Sequence, residues 1–206
     1  MREPFNAYSH LAGVVLALVG TVVLALSWNG EPARLAGALV FGISMVLLYT
    51  SSTVYHAVRV SAHALAALRR LDHAAIFLFI AGSYTPLFLQ SLEGPWKTWG
   101  LVLVWTLALL GLIFRVVALR APRWLYTLSY LGLGWVVVFF IPQLRLPTEA
   151  WVWIGAGGVA YSLGAVIYAL KKPNPWPRLM GFHGLWHLFV LAGSVCVYLG
   201  VLRVYA

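Results

Sequence analysis

Phe182-His183-Gly184-Leu185-Trp186-His187-Leu188-Phe189-Val190-Leu191 opens an apolar stretch that runs from about residue 179 to 203. Roughly 20 apolar residues in a helix cross the ~30 Å hydrocarbon core of a bilayer. The stretch therefore reads as a transmembrane helix with two histidines in its first turns. The rest of the chain has the same character. Of 206 residues 62% are hydrophobic and 9% charged, with mean hydropathy +0.89, where a soluble domain carries about one quarter charged residues. An all-α integral membrane protein is expected, with no room for a soluble domain.

Six further stretches match the first. The seven helices are expected near 9–28, 34–58, 72–91, 97–119, 124–141, 150–170 and 179–203, forming one membrane domain over 1–206. The breaks between them carry turn chemistry: Asn29-Gly30-Glu31-Pro32, Glu93-Gly94-Pro95, Pro142 through Pro147, and Pro173-Asn174-Pro175-Trp176-Pro177. Tryptophans 28, 96, 99, 124, 151, 153 and 176 gather at the expected helix ends, where amphipathic rings anchor at the interface. The first stretch has a small-x-small trio, Ala25-Leu26-Ser27, but Glu3 offsets Arg2 and the apolar run is longer than the core of a signal peptide, so it is read as a helix. Cys196 stands alone, which excludes an intrachain disulfide.

Orientation follows from the basic residues. Arg2, Arg59, Arg69, Arg70, Arg115, Arg120, Arg123, Lys171, Lys172 and Arg178 fall on one side of the membrane, and only Arg34, Lys97, Arg145 and Arg203 on the other. Ten against four places the amino terminus in the cytoplasm and the carboxyl terminus outside. The net charge of +9 then reflects basic loops facing an anionic leaflet and needs no nucleic acid.

With that topology the rare polar residues converge. His183 and His187, four apart, share a face of the seventh helix. The second helix carries His56 at its cytoplasmic end and Ser52 one turn deeper, and the third is expected to start at Asp72. Glu3, Asn6 and His10 approach the same layer. Ionisable groups at this depth cost a few kcal/mol unless they face the bundle interior and find partners. Three neutral imidazoles make a tetrahedral zinc site with one open position, where the ion lowers the pKa of water to about 7. Asp72 is the candidate to orient that water or take its proton, and Ser52, a poor zinc ligand, to hydrogen-bond Asp72, the water or a substrate oxygen.

Bland readings stand beside these. Asp72 at a helix start is also an ordinary N-cap. A serine such as Ser52 often bonds its own helix backbone or aids close packing. Asn6 and His10 either brace the site or only join helices, while His63 and His73 are assigned to the cytoplasmic loop and its edge. Gly82 and Pro86 are expected to let the third helix bend. Gly184 stands where a His-Glu-x-x-His protease would need its general base, which excludes that class.

The ordered set Ser52-Thr53-Val54-Tyr55-His56, Leu71-Asp72-His73, Gly82-Ser83-Tyr84-Thr85-Pro86 and His183-x-x-x-His187, with the opening Glu3-Pro4-Phe5-Asn6-Ala7-Tyr8-Ser9-His10, resembles the hemolysin III family. That family is the bacterial branch of the group containing the progestin and adiponectin receptors, and is similar more distantly to the alkaline ceramidases. The resemblance covers residue 3 to about 190. It implies a seven-helix bundle with zinc bound on the cytoplasmic side by His56, His183 and His187, flanked by Asp72 and Ser52. The chain lacks the long amino-terminal domain of the animal receptors, and hormone reception is not carried over. Two functions follow: a zinc-dependent hydrolase of a lipid amide or ester in the inner leaflet of a bacterial cell membrane, or a non-catalytic sensor of membrane lipid with structural zinc. A haemolytic pore-former fits poorly, because seven apolar helices describe a resident membrane protein.

Overall fold

The computed structural model describes residues 1–118 and 121–206. Its helices are α1 (Pro4–Leu26), α2 (Pro32–Ala57), α3 (Ala62–Ser91), α4 (Gly94–Val117), α5 (Arg123–Gly134), α6 (Thr148–Leu170) and α7 (Gly181–Tyr205). A 3-10 turn at Trp135–Phe140 prolongs α5. All seven segments are long and apolar enough to cross a membrane, and no strand occurs among the described residues. Arg120, counted above with the basic breaks, and position 119, the expected end of the fourth helix, lie outside the described residues.

Two helices start earlier than their hydropathy suggests. A proline in the first turn, pre-set in φ and free of the N–H that a helix start leaves unpaired, opens α1, α2 and α4. Pro4 therefore begins α1 five residues before the expected position 9. The third helix begins at Ala62 rather than 72, capped by Ser61, whose side chain accepts from Ala64 N. Its 30 residues make a rod of roughly 45 Å, so the first turns, with Arg69 and Arg70, reach beyond a ~30 Å core. Asp72 is thus inside a helix and caps nothing.

The helices pack largely in chain order, α1 on α2, α2 on α3, α3 on α4 and α6 on α7, and α7 returns against α1. This return brings the first and last helices together at the end that holds His56. Lipid tails give no hydrophobic drive between helices, so close contact between small residues carries much of the packing. Gly82 is an example: a Cβ there would collide with Ser44 of α2. This approach of α3 to α2 accounts for a glycine at that position.

The fifth segment departs from the single helix expected over 124–141. Where α-helical bonding gives way to the 3-10 turn, Tyr84 of α3 inserts its hydroxyl. It accepts from Val137 N at 2.9 Å and lies 2.6 Å from the Gly134 carbonyl and 3.0 Å from that of Leu133. Backbone groups freed at membrane depth must find such a partner.

Candidate metal centre

Each histidine reaches the site for a local reason. Ser52 and His56 are one turn apart on the buried face of α2, and His183 and His187 one turn apart at the start of α7. Gly184 lets α7 approach α1: a Cβ there would lie 2.8 Å from Phe5 Cδ1 and 3.0 Å from Asn6 Oδ1. The glycine that excludes a protease motif is thus a packing requirement.

His56, His183 and His187 each offer a ring nitrogen, all within 4.8 Å of one another. Their ring centroids form a near-equilateral triangle with sides of 4.8, 4.9 and 5.1 Å. His56 and His187 are each 1% exposed. Nε2 of His183 lies 3.3 Å from Nε2 of His56. Two nitrogens bound tetrahedrally at 2.0–2.1 Å from one ion would be roughly 3.3 to 3.4 Å apart, so the His56–His183 spacing matches a metal of that kind.

The outer nitrogens support the same arrangement. His56 Nδ1 meets Glu3 Oε2 at 2.6 Å. Ser9 Oγ gives its single proton to the Asn6 carbonyl at 3.0 Å, so at 3.3 Å from His187 Nδ1 it acts as an acceptor. With a proton on Nδ1, both rings hydrogen-bond these partners and leave the Nε2 lone pair free. The bond from His56 holds the Glu3 carboxyl well below the usual range, at about 2, against the raising effect of its partial burial.

Asp72 and Ser52 are both buried and line the same cavity. His10, 2% exposed, stacks on His187. These three side chains line a cavity of about 320 Å³. The rest of its wall is mostly apolar, with Ile76, Phe79 and Leu87 on α3, though Ser83, Thr127 and Ser162 also line it. From Asp72 to Leu87 it runs roughly 22 Å along that helix.

His73 is not at a loop edge as expected. It is buried within α3, where the Tyr130 hydroxyl donates to its carbonyl at 3.2 Å. His63 is exposed in the first turn of the same helix, and neither joins the three-histidine group. Ser9 was missed by sequence reasoning, although its i, i+3 spacing from Asn6 and proximity to His10 are the signal that could have found it.

The haemolysin-III related family model matches residues 1–198. The chain belongs to this family. It is 36% identical over 205 residues to "Hemolysin-3" of Bacillus cereus, covering 98% of this chain and 90% of that one. Similarity reaches the human "Monocyte to macrophage differentiation factor", 26% identical over 95% of this chain and 81% of the relative. It extends to the Drosophila melanogaster "Adiponectin receptor protein", at 25% over 97% and 50% respectively. In this haemolysin-III related chain the three histidines, Ser52 and Asp72 all lie within the matched span.

Proposed function

We propose that the chain binds one zinc ion through His56, His183 and His187 and hydrolyses the amide or ester bond of a lipid drawn from the cytoplasmic leaflet of a bacterial cell membrane. The observation that carries this reading is the cavity. It is lined mostly by apolar residues, has in its wall Asp72, Ser52, one turn from His56, and His10, stacked on His187, and its size falls within the ~300–1,000 Å³ of small-molecule sites. A site that only tied helices together would need no such space. The excess of basic residues at the same end supports a cytoplasmic placement and an inner-leaflet lipid.

Zinc with three imidazoles would supply a Lewis acid that polarises the lipid carbonyl. The apolar wall holds the acyl chain and keeps bulk water from the reacting carbon. Asp72 takes the proton as a water oxygen bonds to that carbon, then returns it to the nitrogen or oxygen that leaves, so that a free fatty acid and an amine or alcohol result. Ser52 donates to Asp72 and fixes which of its oxygens faces the water.

The test is release of fatty acid from N-acyl and O-acyl lipids by the purified protein in nanodiscs, with metal content measured on the same samples. Asp72→Asn is expected to abolish turnover and retain the metal. Turnover in that variant would remove the proton role. A metal-loaded wild-type protein that consumes none of these lipids, yet unfolds at much lower temperature once chelated, would support the sensor reading instead.

A further inference from the structure

Ahead of α1, residues 1–3 turn back along the end of α2. The last carbonyls of a helix have no partner within it, and here those of His56 and Ala57 accept from Glu3 N at 3.0 Å and Arg2 N at 3.2 Å. Arg59 Nη2 donates to the Met1 carbonyl at 3.2 Å, and the Arg2 guanidinium lies 4.3 Å from the centroid of the Tyr55 ring. These contacts fasten the backbone of Glu3 against the residue whose ring it faces. Its carboxylate is held again from the first turn of α1, where Asn6 Nδ2 donates to Oε2 at 2.9 Å, and Arg2 Nε lies 3.4 Å from Oε1. So placed, Oε2 lies 2.6 Å from His56 Nδ1.

A histidine that ligates a metal through one nitrogen almost always gives its other N–H to a carboxylate, carbonyl or water, which fixes ring rotation and tautomer and makes the ligand more basic. The geometry points to Glu3 as a positioning residue for the metal centre, acting through His56, with residues 1–3 as the strap that delivers it. The inference rests on the metal reading above. It makes assembly of the centre depend on α1 as well as on α2 and α7: Glu3 sets the ring on α2, and Ser9 sets that of His187 on α7. A purely structural Glu3, pinning one helix to another, would affect folding and leave the ligand set unchanged.

The full chain in detergent micelles, stripped of metal, is titrated with Co²⁺ and then with competing Zn²⁺, and the cobalt absorption bands report both affinity and ligand geometry. Glu3→Ala is expected to weaken zinc binding about 10- to 100-fold and to shift the cobalt bands. Glu3→Gln, whose amide oxygen still accepts from Nδ1, recovers part of that loss. Arg2→Ala loosens a partly exposed contact without removing the acceptor and stays within about fivefold of wild type. Wild-type affinity and spectrum in Glu3→Ala would overturn the inference. So would equal losses in Glu3→Ala and Arg2→Ala that track a lowered unfolding temperature of the metal-free protein. A wild-type chain that binds neither ion would sink the metal reading itself.

Discussion

The imidazole of His10 lies flat on that of His187, with centroids 3.7 Å apart and planes 11° from parallel. Stacked rings point their nitrogens past one another's sides, so His10 is a support for a ligand and not a fourth member of the set. His10 and Tyr49 meet edge-to-face, with centroids 5.1 Å apart and planes at 79°. His10→Phe is therefore expected to keep zinc affinity near wild type, while His10→Ala, which removes the stack, weakens it about 2- to 10-fold. Isothermal competition with a chelator separates the two. A large loss in His10→Phe would mean that its nitrogens, and not its ring face, matter.

His187 carries the strongest metal prediction. With it gone, only His56 and His183 remain of the three donors that lie within 4.8 Å of one another. Metal analysis of purified protein should show about one zinc per wild-type chain and almost none in His187→Ala. Chelation of the wild type should lower its unfolding temperature, because a ligand that binds the folded state alone stabilises that state.

The cavity can be filled without touching the histidines. Gly155 and Gly158 line it on α6; a Cβ at 155 would meet nothing within 4 Å, and one at 158 would touch only Trp135, at 3.7 Å. Leucine at either position fits the helix and gains about 0.5–1 kcal/mol in propensity over glycine. Gly155→Leu and Gly158→Leu should retain or raise thermal stability and hold zinc, yet lose lipid turnover. Full turnover with both replaced would place the lipid elsewhere.

Tyr84 is expected to matter for folding alone. Tyr84→Phe leaves the Val137 N–H and the Gly134 carbonyl without their hydroxyl partner. The cost should be about 1–3 kcal/mol, read as a lower unfolding temperature with metal affinity unchanged.

Much of the fold was legible because apolar length alone reports a membrane helix: each of the seven segments was located from hydropathy and the turns between them. Helix ends were less legible. The polar first turns of α1 and α3 are helical for reasons of capping, through Pro4 and Ser61, that a count of apolar residues passes over. Spacing also proposed the site residues, since i, i+4 geometry pairs Ser52 with His56 and His183 with His187 within their own helices. It could not reveal Ser9 behind His187, or His73 turned away toward Tyr130, because those relations run between helices.

The sequence by itself determined that the chain is a bundle of membrane helices and which few side chains a bilayer would force to its interior, because burying a polar group in hydrocarbon is costly wherever it stands. Only the tertiary structure decided that α7 closes on α1 and α2. It also decided that ring nitrogens 127 residues apart lie 3.3 Å from each other, and that Ser52, Asp72 and His10 line one mostly apolar cavity. Those facts depend on close approach at positions such as Gly82 and Gly184. Whether a glycine there is a gap or a contact is settled by the neighbouring helix and not by the chain on either side.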